Sequence, residues 1–242
     1  KSSFIGFSAL ESAANHETRF STCKGCTNNC SITVFKFPNG KRCFSGNKCE
    51  KVFSNNPETQ RRGDNIFDYK RERLFASSNV KPIHPRMRIG IPRALSIFEN
   101  FPFWQALFSN VDIEVVLSSV SSSKLYEKGA GSIMSDNICF PAKLSHGHVV
   151  DLIEKGVDRI FYPFVLFEQK EFKHSHNCYN CPIVTGYSEV LKNINTSVPF
   201  DAPAFNFNDK KLTTKACVEY LVSLGIKRAI ALNAVKEAFE AQ

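Results

Sequence analysis

The stretch RIGIPRALSIFENFPFWQALFSNVDIEVVL, residues 88–117, decides the fold. RIGIP (88–92) is a short apolar run closed by proline and reads as a buried strand. Ala94–Phe108 has apolar residues at helical spacing, with Pro102 expected to start or kink a turn. DIEVVL (112–117) reads as a second strand.

The pattern continues outward on the C-terminal side. A Ser-rich cap precedes a helix from Ser123 to Lys128, and SIMS (132–135) is expected as a third strand. Pro141–Lys155 reads as a helix ended by Gly156, and DRIFYP (158–163) as a fourth strand. Strands and helices alternating at this spacing imply an α/β fold: a Rossmann-like parallel sheet with helices on both faces, over residues 80–200. The C-terminal segment, 201–242, is expected as two helices, Asp209–Leu224 and Lys227–Ala241, joined at Gly225, with Cys217 a buried small hydrophobe. On the N-terminal side, VKPIHPR (80–86) reads as an extended linker and NIFDYKRERLF (65–75) as a short helix. Residues 1–79 make up a Cys-rich β-hairpin module with that connecting helix, and residues 1–20 are weakly patterned.

The 242 residues suffice for one large or two modest domains with a real core, and 43% hydrophobic with 22% charged residues is ordinary for a soluble protein. No apolar run approaches a membrane span and no secretory pattern opens the chain, so a cytoplasmic location is expected. Lys1 in place of an initiator Met reads as the start of a fragment of a longer chain. The net charge of +8 permits an acidic partner. Its basic clusters, Arg61-Arg62 and Lys70-Arg71-Arg73, are interleaved with acidic residues and lack aromatic-basic motifs, which argues against nucleic acid. Nine cysteines, five of them within residues 23–49, point to metal or redox chemistry in a reducing compartment before a disulfide framework.

Cys23, Cys26 and Cys30 are spaced C-x2-C-x3-C. Asn39-Gly40 then predicts a two-residue hairpin turn, whose register sets Val34 opposite Ser45 and, continued, Cys30 opposite Cys49. The hairpin would return Cys49 as a fourth thiol and leave Cys43 far along the strand. Cys23, Cys26, Cys30 and Cys49 are thus candidate metal ligands, for tetrahedral Zn2+ or a [4Fe-4S] cluster. The 3+1 arrangement leans toward iron–sulfur, since zinc ribbons usually pair two C-x2-C knuckles.

A second group lies in the α/β region. Cys139 and Cys181 each stand at an expected helix N-terminus beside a proline, where free N–H groups and the helix dipole favour a thiolate ligand. In a parallel sheet the loops after the strands share one edge, where ligands bind. Cys139, Cys178, Cys181 and Arg93 are expected there, with Arg93 offsetting anionic charge. The alternative is that Cys139 and Cys181 are small capping residues. His146 and His148, two apart on a helix, cannot point the same way, so at least one should serve packing or capping. No G-x-G-x-x-G, P-loop, G-x-S-x-G or H-E-x-x-H pattern occurs.

RIGIPRALSIFENFPFWQALF, SDNICFPAKLSHGHVVDLIEKGVDRIFYPF and NCPIVTGYSEVLKN, with CKGCTNNC and SGNKCE upstream, resemble conserved segments of the 2-hydroxyacyl-CoA dehydratase activase-related family, over roughly residues 20–195. The resemblance implies a region downstream of ATPase domains of the acetate-kinase/Hsp70-like type, related to iron–sulfur dehydratase components. It implies Cys139 and Cys181 as ligands of an iron–sulfur cluster serving low-potential electron transfer or dehydratase-like chemistry. Cys23, Cys26, Cys30 and Cys49 match the family's N-terminal cysteine segment, whereas Cys178 departs from the usual pattern. The implied partners are the ATPase domains, in the same larger protein or a partner subunit, and an acyl-CoA dehydratase. A different class remains open: an interaction domain with a zinc-held knot of four cysteines and no redox activity.

Overall fold

The computed structural model describes residues 6–55, 66–76, 82–194 and 197–242. The chain forms two compact units, Lys1–Asn65 and Ile66–Gln242. The boundary expected at residues 79/80 lies outside the described residues.

The smaller unit has a helix α1 (Phe7–Ala14) and a three-stranded antiparallel sheet, β1 (Glu17–Thr22), β2 (Ser31–Lys36) and β3 (Arg42–Ser45), in the order β1-β2-β3. The hairpin is present, but its register differs from the expected one by one residue: Thr33 faces Ser45 and Phe35 faces Cys43. The cause is the turn. Gly40 N–H donates to Phe37 O and Phe37 N–H to Lys41 O, both at 2.9 Å, with Gly40 at φ 80°. That is a three-residue loop ending in a left-handed glycine in place of a two-residue one. Ladder pairing stops at Ser31 and Ser45, short of Cys30 and Cys49. Among the described residues of this unit only Cys23 and Ile32 are buried.

The larger unit begins with α2 (Ile66–Phe75). It continues with β4 (Met87–Ile91), α3 (Ile97–Ser109), β5 (Ile113–Leu117), α4 (Ser123–Gly129), α5 (Phe140–Glu154), β6 (Arg159–Phe161) and β7 (Phe164–Phe167). Then come α6 (Pro182–Lys192), β8 (Phe200–Asp201), β9 (Ala204–Asn206), α7 (Lys210–Ser223) and α8 (Arg228–Ala241). The sheet is parallel in the order β5-β4-β6-β8, confirming the α/β class. From β4 the chain crosses to one side for β5 and to the other for β6. Right-handed crossovers therefore put α3 on one face and α4 with α5 on the other.

The expected strand at 132–135 is absent. Residues 130–132 form a 3-10 turn and 133–139 run without strand pairing into the N-cap of α5, so the β5–β6 crossover carries no strand between its helices. The further strands come from beyond Pro163. β7 pairs with β9, and Tyr162 N–H to Asp201 O and Phe164 N–H to Pro203 O, each 2.9 Å, carry the β6/β8 ladder into β7/β9. Pro163 and Pro203 lack the N–H that an unbroken ladder would use, so one bent pair of strands is divided into two. Asn100, at φ −120°, kinks α3 two residues before Pro102.

An aromatic core fixes the sheet on one face. Trp104 meets Phe103, Phe161 and Phe205 with ring centroids 4.8–5.0 Å apart, and Phe103 also meets Phe239 of α8 at 5.0 Å. The C-terminal helices are therefore part of this core, and Cys217 is fully buried within it. On the other face Gly90 admits α5 closely: a Cβ there would lie 3.0 Å from Val157 and 3.1 Å from Leu152. Among the described residues no helix is long and apolar enough to cross a membrane.

Candidate cofactor-binding edge

α5 leads into β6 through Gly156 (φ 66°), and α6 leads toward β8. Each crossover helix runs against the parallel strands, so α5 and α6 are parallel to each other with their N-termini toward the strands' C-terminal edge. Cys139 is the N-cap of α5 and Cys181 the N-cap of α6, each followed by a proline in the first turn. Both thiols are free and both residues are exposed. The Cys181 sulfur accepts from Val184 N–H at 3.5 Å.

The two helices are tied a short way below their caps. His146 Nε2 lies 2.8 Å from the Tyr187 hydroxyl, and His146 Nδ1 lies 2.8 Å from Ser132 Oγ. The bridge sits seven residues beyond one cap and six beyond the other, roughly 10 Å along each axis. Burial, and then the nearby Cys139 sulfur, raise the Tyr187 pKa above its ordinary value. Cys178 belongs to the loop entering α6, and its carbonyl accepts from Glu168 N–H. The Glu168 carboxylate is clamped by Asn100 Nδ2 and Asn180 Nδ2, each at 2.7 Å, pinning that loop to α3. Burial outweighs both amide donors and raises the Glu168 pKa.

Arg93 follows β4 at the same edge, but its neighbours are not the cysteines. It lines a cavity of about 400 Å³ with Lys70 and Arg71 of α2, Phe98 of α3 and Ser121 after β5. Its guanidinium lies over the Phe75 ring at 5.0 Å. Beneath it, Arg93 N–H donates to Ser118 Oγ at 2.8 Å, and Ser118 Oγ lies 2.7 Å from His148 Nδ1. His148 Nε2 lies 3.0 Å from Ser121 Oγ. Burial, against the pull of Asp151, lowers the His148 pKa to about 4, so the ring is neutral at pH 7.

Asp151 completes this inner network, accepting from Ser119 N–H at 2.7 Å and pairing with Lys155 at 2.9 Å. Burial works to raise the Asp151 pKa, but the Ser119 and Lys155 contacts outweigh it and hold the carboxyl at about 2. Both expected helix histidines are thus fully buried and engaged at both ring nitrogens. The serines that receive them, Ser118, Ser121 and Ser132, were not singled out by the sequence; the Ser-rich run 118–123 hinted at the first two, and nothing marked Ser132.

In the smaller unit, Cys23 N–H donates to Cys30 O at 2.8 Å and closes the loop between β1 and β2. A Cβ on Gly25 would lie 2.4 Å from Val52 and 3.5 Å from Cys23 Sγ, so the segment after Cys49 packs directly on the cysteine loop. Asn47 Nδ2 holds that segment by donating to the Cys49 and Phe53 carbonyls at 3.2 and 3.0 Å. Cys26 and Cys49 are exposed and Cys23 is buried. Among the described residues no group of three or more His, Cys, Asp or Glu side chains is gathered at metal-ligating distance in either unit.

No curated protein and no solved structure matches the chain. A family model described as the CoA enzyme activase uncharacterised domain matches residues 88–242, which takes in β4 through α8 with Arg93, Cys139 and Cys181. It leaves out α2 and the cysteine module. On that match the chain belongs to the CoA enzyme activase uncharacterised domain family.

Proposed function

We propose that this chain is a non-ATPase region of a CoA enzyme activase system, and that its sheet edge holds an iron–sulfur cluster for low-potential electron transfer or dehydratase-like chemistry. The observation that carries the reading is the pair of free, exposed thiols, Cys139 and Cys181, capping two parallel helices that His146 and Tyr187 lock together. Soft thiols at helix N-termini fit the group in donor chemistry. They fall short of it in number, with Cys178 the one further thiol nearby in sequence, so another donor must complete the shell. A bound cluster would supply one-electron chemistry. The chain's own residues would fix the spacing of the two thiols and set each at the positive end of a helix dipole. ATPase domains, in the same larger protein or a partner subunit, would supply the driving force, and an acyl-CoA dehydratase would be the acceptor, in the cytoplasm.

The test is anaerobic purification with iron and sulfide quantification. The expected result is broad visible absorption that bleaches with dithionite and disappears in the Cys139→Ala/Cys181→Ala double variant. A protein that takes up zinc alone, with no change in any redox signal in that variant, would sink the reading.

A second reading concerns the smaller unit. With only Cys23 and Ile32 buried among its described residues, hydrophobic burial alone is too small to hold it. Metal held by Cys23, Cys26, Cys30 and Cys49 would supply the missing stabilisation, as small metal-dependent modules require. One zinc per chain, lost in Cys26→Ser, would support a structural knot there.

A further inference from the structure

The cavity around Arg93 carries a charge arrangement that the cysteine chemistry does not use. Three cations, Lys70, Arg71 and Arg93, line it against one carboxylate, Asp68, which pairs with Arg71 at 3.3 Å. Arg93 Nε is buried without a hydrogen-bond partner, and neither Arg93 nor Lys70 has a carboxylate partner among the described residues. The floor is apolar: Leu74, Phe75 and Phe98, with Phe67 standing 77% exposed at the rim.

A half-buried guanidinium beside a second one is unfavourable until an anion lies between them. Burial, and then the Arg71 charge, push the Arg93 pKa below its ordinary value. His148, below it, is neutral, and an imidazole carries no negative charge in either protonation state, so it supplies no counter-charge. Forked guanidinium donors match the oxygens of a phosphate or carboxylate, and three cations with one carboxylate favour a dianion over a monoanion. The aromatic and aliphatic floor adds a place for an apolar body, and about 400 Å³ is the size of a small-molecule site.

We propose that this cavity binds a small organic phosphate, its phosphoryl oxygens held by Arg93, Arg71 and Lys70 and its apolar body laid on Leu74, Phe75 and Phe98. The inference stands apart from the iron–sulfur reading, since none of these residues is a cysteine and no metal is needed to test it.

Isothermal titration of the full chain with phenyl phosphate, benzoate and inorganic phosphate is the direct experiment. Phenyl phosphate should bind about tenfold or more tighter than either of the others, and Arg93→Gln should cost about tenfold or more, as removal of a charged hydrogen-bonding partner does. Lys70→Gln and Arg71→Gln, on the exposed helix α2, should each weaken binding by about threefold or more and carry the test if Arg93→Gln does not fold. Three results would each overturn the proposal: no binding of phenyl phosphate, inorganic phosphate or benzoate binding equally well, or affinity unmoved by the substitutions.

Discussion

His148 should make the larger unit acid-labile well above the range where carboxylates protonate. It is fully buried, held between Ser118 and Ser121, with Asp151 favouring the imidazolium and Arg93 and Lys155 opposing it. Burial dominates and brings the pKa from 6.5 to about 4. Between those two values the unfolded chain takes up a proton that the native state refuses. Stability therefore rises with pH through this window: the contribution is complete above about 6.5 and is lost on acidification toward 4. The gap corresponds to about 3 kcal/mol in full, of which about 2–3 kcal/mol falls between pH 7 and pH 4.5. Asp151, held at about 2, contributes stability that is lost only at more acid pH, so pH 4.5 isolates the histidine from it. Urea unfolding at the two pH values can be followed by Trp104, the single tryptophan, which is fully buried in this unit's core. Wild type should lose about 2–3 kcal/mol more than His148→Gln on going from pH 7 to pH 4.5. Burial lowers the His146 pKa as well, so His146→Gln should reduce the acid loss in the same direction. Equal losses in wild type and His148→Gln would refute the argument, since the window would then belong to other groups.

Two further substitutions test the packing that positions the edge. A Cβ at Gly147 would lie 2.0 Å from Leu125 O, where α4 crosses α5. The helix-propensity gain of about 1 kcal/mol should lose to the clash, so Gly147→Ala should destabilise by about 1–3 kcal/mol in the same Trp104 assay, whereas Gly131→Ala, with open space around it, should not. Arg159 grips Asp201 with two hydrogen bonds of 2.7 Å, tying β6 to β8, and Tyr220 adds a third to the same carboxylate at 2.9 Å. Arg159→Gln should cost about 2–3 kcal/mol in midpoint-derived stability, and a loss below the assay's resolution would show that Tyr220 alone suffices.

Much of the α/β core was legible because its elements are punctuated. Pro92 closes a strand, Ser122 caps α4 through Leu125 N–H at 3.1 Å, Gly156 ends α5, and Gly225 separates α7 from α8 at φ 83°. What was not legible depends on partners distant in sequence. β8 and β9 are two and three residues long and exist through pairing with residues some forty positions earlier, so no local period reveals them. SIMS looked like a strand because its composition fits one, yet nothing pairs with it. β1 is exposed at every position and lacks the alternation that marks a half-buried strand. In the hairpin, Asn39-Gly40 marked the turn correctly, but the sequence could not tell a two-residue loop from a three-residue one, and one residue of loop length shifts the whole register.

The same distinction governs the candidate site. Cys139 and Cys181 are helix caps, so local rules placed them. Arg93 was placed at the right edge by the strand before it, but its company was set by α2, whose aromatic end packs Phe75 on Phe98 and Phe101 at 5.3 and 4.8 Å. α2 precedes residue 88, so the Arg93 cavity joins the family segment to a helix outside it, whereas the two capping cysteines lie wholly within that segment. The edge therefore presents two chemistries side by side, a thiol pair and a cationic cavity, with no residue in common. A substitution in α2 should alter anion affinity and leave iron content unchanged, and removal of the thiols should do the reverse.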